Sequence, residues 1–260
     1  MFNSVMMDLL KDLAQNLCDR GLNLRQYQTP LDAVSCPAPR LVAHRGACDG
    51  KADLENTLSA FRRARALGAW GIEFDLHFTK DDEPVVCHDP DLLRVFSSRM
   101  RIAESNWSDL QKTASNLPHL HEVLSLDRLH FMIEVKSRLK DHHLGALHDA
   151  LRGFRPKEDY HLLTLDPELV RLSPKTPADA WILVGEFNLG ILIEISLQRG
   201  LGGVAGHYLL MTESRVKRLH RAGQRAGVGF VPNRNLFNRE WNKRVDWVFT
   251  NHLGRIAEIV

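Results

Sequence analysis

Little in this chain is extreme, and what it lacks narrows the field. Its 260 residues include four cysteines, Cys18, Cys36, Cys48 and Cys87, with no C-x-x-C pair among them. That spacing offers neither a zinc ribbon nor a disulfide framework, and it reads as reduced thiols. No apolar run approaches the roughly 20 residues that a membrane-spanning helix needs. The opening MFNSVMMDLLKDLAQNL has no basic start and carries acids within its apolar part, unlike a secretory leader. A cytoplasmic location is the expectation. The formal net charge is only +2, so bulk electrostatics point to no nucleic-acid partner. Repeats and low-complexity stretches are absent too. What is present, 44% hydrophobic and 25% charged residues, is the composition of an ordinary globular protein.

Strand-like and helix-like patterns alternate along most of the chain. Leu41 to His44 reads as a first strand. Glu55 to Leu67 then carries an apolar stripe of Leu58, Phe61, Ala64, Ala66 and Leu67, as a packed helix would, and Gly68 lies at its end. From Gly71 to Thr79 the alternation is strict. Ile72, Phe74, Leu76 and Phe78 fall on one face, and Glu73, Asp75 and His77 on the other. The turn Lys80 to Glu83 is too short for a parallel crossover, so Pro84 to His88 must fold back as a hairpin. Six more strands are expected around 131–136, 161–165, 181–186, 203–208, 228–233 and 246–250. Helices are expected at 120–126, 141–152, 167–172, 188–199, 212–226 and 236–243. Without the return strand the count is eight, which predicts a (β/α)8 TIM barrel over residues 40–260 with a β-hairpin extension after strand two.

Residues 1–39 form an additional N-terminal arm. Phe2, Met6, Leu9, Leu13 and Leu17 share a helical face, Gly21 is a plausible stop, and a linker with three prolines follows. The arm is expected to cover the base of the barrel, with a dimer contact as the alternative. The connection 90–130 is the longest, yet it leaves little room for a separate lid.

Ionisable residues gather at the strand ends between Leu41 and Asp89. They occur as the blocks His44-Arg45-Gly46, Glu55-Asn56-Thr57, Glu73-Phe74-Asp75, Thr79-Lys80-Asp81 and His88-Asp89, followed by Glu134-Val135-Lys136. In this order and spacing the blocks resemble the signature of the glycerophosphodiester phosphodiesterase family. The resemblance runs over roughly residues 40–255. It implies a metal-dependent barrel enzyme that hydrolyses small glycerophosphodiesters to glycerol 3-phosphate and an alcohol.

The residue chemistry agrees with that implication. Glu73 and Asp75 share a strand face, and Glu134 ends the neighbouring strand. Three carboxylates without a cysteine make a hard oxygen site suited to Mg²⁺ or Ca²⁺. His44 and His88 are the acid–base candidates, since imidazole titrates near neutrality. The resemblance assigns them those roles and implies attack by the 2-hydroxyl of the glycerol, giving a cyclic phosphate that water then opens. Arg45 and Lys136 suit a phosphate. Glu55 is expected to orient Arg45, and Asn56 to add polar contacts or cap the following helix.

The C-terminal half departs from the family pattern. Thr164-Leu165 stands where a serine–phenylalanine pair is common. The late W-T-x-N block is Phe230-Val231-Pro232-Asn233, and the final T-D-x-P block is Thr250-Asn251-His252-Leu253. Phe230 can still wall the substrate, but without an indole N–H. Glu186 is either a substrate contact or an ordinary rim residue. Two readings therefore stand beside the first: a lysophospholipase D or sphingomyelinase-D-like lipid phosphodiesterase, and an inactive barrel that binds a phosphorylated ligand. The pairs His119-x-His121 and His142-His143 lack evident partners for zinc. The basic run Arg215, Lys217, Arg218 and Arg221 reads as the solvated face of a helix.

Overall fold

The computed structural model describes residues 15, 17–29, 36–49, 55–136, 139–171 and 175–257. Eight parallel strands close into a barrel. They are β1 (Arg40–His44), β2 (Gly71–Phe78), β4 (His130–Val135), β5 (Tyr160–Thr164), β6 (Trp181–Gly185), β7 (Gly203–His207), β8 (Arg225–Gly229) and β9 (Trp247–Thr250). The sheet order is β1-β9-β8-β7-β6-β5-β4-β2, and pairing of β1 with β2 closes the ring. The short β3 (Pro84–Val86) returns antiparallel on the upper end of β2, with Leu76 opposite Val86 and Phe78 opposite Pro84. The hairpin therefore stands above the rim, as a four-residue turn requires.

Period-two alternation decides what each strand presents. Ile72, Phe74, Leu76 and Phe78 join the outer core beneath the helices. Between the strands lie α1 (Leu58–Ala66), α5 (Asp141–Ala150), α6 (Pro167–Arg171), α7 (Leu189–Arg199), α8 (Glu213–Arg221) and α9 (Arg234–Asn242), with α10 (Leu253–Ala257) after β9. The excursion after β3 carries α2 (Leu93–Phe96), α3 (Trp107–Thr113) and α4 (Leu120–Leu124) around a small core of Val85, Cys87, Leu92, Ile102 and Leu110. Residues of opposite parity fill the barrel. Val42, Met132, Leu163, Ile182, Ala205 and Phe249 make an apolar plug, and the polar rim lies above it.

Some boundaries differ from expectation, each for a local reason. The helix expected from Glu55 starts at Leu58, because the Thr57 side chain caps it by accepting from Ala60 N at 3.2 Å. The strand expected at 228–233 is 225–229, because the chain turns at Phe230 with φ 65°. The helix expected to reach 226 stops at Arg221, and Gly223 follows at φ 73°. The four cysteines carry no disulfide, and no helix among the described residues is long and apolar enough to cross a membrane.

The arm departs most. Phe2, Met6, Leu9 and Leu13 lie outside the described residues. Helix does not stop at Gly21 but continues to residue 23, and Leu17 is exposed. The expected cover of the barrel base by residues 1–14 lies outside the described residues, and the described part of the arm runs to the other end. Gln15 Oε1 accepts from His207 Nε2 at 3.1 Å, and Asp19 accepts from the Tyr208 hydroxyl. His207 is the last residue of β7, so the arm reaches the C-terminal rim, the face on which active sites of such barrels form.

Candidate active site

The site grows from the ends of β1, β2 and β4. After His44 the chain turns sharply, with Arg45 at φ 54° and Gly46 at φ 85°. Only glycine serves at 46, since a Cβ there would lie 2.7 Å from Ala60 Cβ. The left-handed turn aims the Arg45 amide at Glu73 Oε2, 3.1 Å away. It also brings the guanidinium within 3.4 Å of Asp75 Oδ2 and 3.3 Å of Glu55 Oε1. Asn56, likewise left-handed at φ 55°, donates from Nδ2 to Asp75 Oδ2 at 2.9 Å.

Glu73, Asp75 and Glu134 converge. Each is buried, and one oxygen from each lies within 4.8 Å of the others. Register explains this, because Asp75 pairs directly with Glu134 across the β2–β4 ladder. Lys136 bridges the set, with Nζ 2.8 Å from Asp75 Oδ1 and bonded to Glu134 Oε1. Burial and the neighbouring Asp75 and Glu134 push the Glu73 carboxyl far above its ordinary range. Burial raises Glu134 as well, against the pull of Lys136. For Asp75 burial acts upward too, but Lys136 and Arg45 outweigh it and hold the carboxyl well below its usual value. Glu73 Oε1 is buried without a hydrogen-bond partner. A buried, unpaired carboxylate oxygen among three acids fits a hard divalent cation.

The histidines flank this cluster. His44 Nδ1 donates to Asn251 Oδ1 at 2.6 Å. An amide oxygen only accepts, so in the neutral ring Nε2 carries a free lone pair. That nitrogen lies 3.7 Å from Glu73 Oε2. Burial, then the charge of Arg45, lowers the His44 pKa to about 4. On the other side His88 Nδ1 lies 2.7 Å from Asp89 Oδ1, and Asp89 Oδ2 accepts from Arg94 Nε at 2.6 Å. Burial acts to raise Asp89, but the bonds from Arg94 and His88 prevail and hold it below its ordinary value. Arg94 also bonds Glu55, which joins His88, Asp89, Arg94, Glu55 and Arg45 in one chain. His77 Nε2 meets the carbonyl of His88 at 3.1 Å.

Phe230 lies edge-on to His44, with ring centroids 5.8 Å apart, and is 49% exposed at the rim. Glu186 is exposed, Thr164 is buried, and Leu165 is exposed. The sequence reading missed the parts played by Arg94, Asp89 and Asn251. Asp89 was signalled by its place beside His88. Asn251 was signalled only by its place in the altered final block Thr250-Asn251-His252-Leu253, and Arg94 had no comparable local sign.

The histidine pairs do have partners, contrary to expectation. Asp82 Oδ1 lies 3.0 Å from His142 Nε2 and 2.9 Å from His143 Nε2. Glu83 Oε2 lies 2.9 Å from His119 Nε2. Sequence spacing hid these contacts, since the acids come from the β2–β3 turn. At His143 the Lys140 amide donates to Nδ1 at 3.3 Å. The ring proton therefore sits on Nε2 and points at Asp82, an arrangement that donates rather than ligates.

Fold and rim together define the class: a (β/α)8 barrel with an acidic cluster between two histidines at the C-terminal ends of its strands. Residues 44–153 match the model of the Glycerophosphoryl diester phosphodiesterase family. The chain is 35% identical over 97 residues to a glycerophosphodiester phosphodiesterase of Caldanaerobacter subterraneus, covering 33% of this chain and 39% of that one. Against glycerophosphodiester phosphodiesterase 1 of Bos taurus it is 32% identical over 126 residues, 48% of this chain and 36% of the other. The matched segments thus span less than half the length of these relatives. Among solved structures, an Oleispira antarctica phosphodiesterase in complex with the product sn-glycerol-3-phosphate superposes with a TM-score of 0.73 at 19% identity, over 86% of this chain and 98% of that one. The glycerophosphodiester phosphodiesterase of Thermotoga maritima gives 0.72 at 22% identity, over 85% and 98%. At these identities the structural likeness speaks for the fold.

Proposed function

We propose that the protein hydrolyses glycerophosphodiesters to glycerol 3-phosphate and an alcohol, using a divalent cation, Mg²⁺ or Ca²⁺. The observation that carries this reading is the convergence of Glu73, Asp75 and Glu134 between His44 and His88. The three carboxylates would hold the cation, which when bound would neutralise charge on the phosphoryl oxygens. Arg45 and Lys136 reach the same space and suit the remaining phosphate oxygens.

His44, neutral with Nε2 free, suits the role of base. It takes the proton of the glycerol 2-hydroxyl as that oxygen forms its bond to phosphorus. The bond from phosphorus to the leaving alcohol breaks, and His88 gives the alkoxide its proton. The product is a cyclic phosphate. In the second step His88 takes a proton from water, whose oxygen bonds to phosphorus, and His44 returns its proton to the 2-oxygen as the ring opens. Asn251 and Asp89 hold the two imidazoles in place. A cytoplasmic location is part of this reading.

A second reading, lipid cleavage, has its own support. The chain is 36% identical over 69 residues to a lysophospholipase D of Homo sapiens, 26% of this chain and 21% of that one. Leu165 and Phe230 also leave apolar surface at the rim. Release of glycerol 3-phosphate from glycerophosphocholine, first with EDTA and then with added Mg²⁺ or Ca²⁺, tests the first reading. Metal-restored release is expected. Retention of substrate without release under any cation would point to an inactive binding barrel.

A further inference from the structure

The arm is tied to the rim by a series of side-chain contacts. On α9, Asn235, Asn238 and Asn242 recur at spacings of three and four, which places them on one helical face. Asn235 Oδ1 accepts the Tyr27 amide at 2.7 Å, while its Nδ2 donates to Asn23 Oδ1 at 3.1 Å and to the Arg25 carbonyl at 2.9 Å. Asn238 and Asn242 donate to the carbonyls of Tyr27 and Gln28 at 2.9 and 2.8 Å. This ladder clamps residues 23–28 along α9 and carries the helical part of the arm to the end of β7.

There the arm meets the aromatic side of the site. The Leu209 amide donates to His207 Nδ1 at 3.2 Å, so the ring proton sits on Nε2 and goes to Gln15 Oε1. His207 stacks on Phe230 with centroids 5.7 Å apart and planes 25° from parallel. Phe230 in turn meets His44. The Phe230 backbone, at φ 65°, is in a conformation that a bulky residue adopts only when its surroundings impose it. His207 is among those surroundings, and Gln15 holds His207.

The substrate's orientation follows from the proposed function, on which this inference rests. If His44 Nε2 takes the proton of the glycerol 2-hydroxyl, the glycerol lies on the His44 side, against Phe230. The adjoining glycerol hydroxyl, where a lysophospholipid carries its acyl chain, then faces Phe230, His207 and the arm. We propose that the arm is a wall of the substrate cleft, in which Gln15, acting through His207 and Phe230, excludes diesters whose glycerol bears an acyl chain. Gln15 and His207 are positioning residues. Phe230 is the surface that the glycerol touches.

The test compares kcat/KM for glycerophosphocholine with that for a short-chain lysophosphatidylcholine below its micelle concentration, using the full chain with metal. The wild type is expected to favour glycerophosphocholine. Gln15→Leu removes the acceptor, and the ratio of lysophospholipid to glycerophosphocholine turnover should rise about tenfold, mainly through a lower KM for the lysophospholipid. Gln15→Glu keeps an acceptor and should restore the wild-type ratio. Tyr208→Phe, which removes the second anchor of the arm, should shift the ratio in the same direction as Gln15→Leu. Leu24→Ser, on the exposed surface of the arm, is the control and should leave it unchanged. An unaltered ratio in both anchor variants, or a wild type that prefers the lysophospholipid, would overturn the proposal while leaving diester hydrolysis standing. A wild type that cleaves neither substrate would overturn the functional reading and this proposal together.

Discussion

At the scale of single residues, orientation matters as much as identity. His44 has a free Nε2 because Asn251 fixes the proton on Nδ1. Asn251→Ala leaves the imidazole present but free to turn and change tautomer. We expect kcat to fall about tenfold with KM little changed, against 10²-fold or more for His44→Ala, the usual scale for an acid–base group. Equal losses in the two variants would show that Asn251 does more than orient the ring. Glu73 owns the buried oxygen that lacks a partner. Glu73→Gln keeps its shape but removes its charge, so the metal concentration for half-maximal activity should rise by tenfold or more. An unchanged metal titration would mean that the cation sits elsewhere.

At the scale of elements, legibility followed the range of the interaction. The pairing of Glu73 with Asp75 on one face was readable because strand periodicity is local. The hairpin was readable because a four-residue turn permits nothing else. The contact of His44 with Asn251 joins residues 207 apart in sequence, and no local pattern encodes it. The contact of Gln15 and Asp19 with the C-terminal rim was missed for the same reason. The arm's apolar periodicity said that one face would pack, but not against which end of the barrel. The asparagine ladder decides that, and asparagines on a helix face read in sequence as ordinary solvated positions. Asn235 contributes most, with one bond accepted and two donated. Each such bond is worth about 1 kcal/mol. Asn235→Ala should therefore loosen the arm without unfolding the barrel. Hydrogen exchange at the Tyr27 amide is expected to quicken about tenfold while the global melting temperature moves by only a few degrees. Unchanged exchange at Tyr27 would mean that the ladder does not anchor the arm.

At the scale of the whole molecule, the two ends of the barrel hold histidines in different settings. The upper pair, His44 and His88, lies at the rim beside the acidic cluster. At the lower end His130 and His161 are buried within the barrel, where Trp70 stacks on His130 at 4.1 Å and Trp247 meets His161 edge-on at 5.1 Å. His130 Nδ1 donates to the Glu158 carbonyl at 3.0 Å, so its Nε2 accepts from His161 Nδ1 at 2.7 Å. Both of these bonds are made with the two rings neutral. Burial lowers the His130 pKa to about 4, and burial with the charge of His130 lowers His161 to about 3. The unfolded chain protonates both near the ordinary histidine pKa of about 6.5. Above that value neither state binds the proton and the pair has no pH dependence. As pH falls below it, the unfolded state binds more protons and stability declines, until the folded rings also titrate between about 4 and 3. Urea unfolding at several pH values should show this decline for the wild type. His161→Leu removes one titrating ring, so its slope between pH 6 and 4 should be shallower by up to about 1.4 kcal/mol per pH unit, the value for one proton. Parallel curves for the two proteins would place the acid lability elsewhere, and the carboxylate cluster at the opposite rim would be the next group to test.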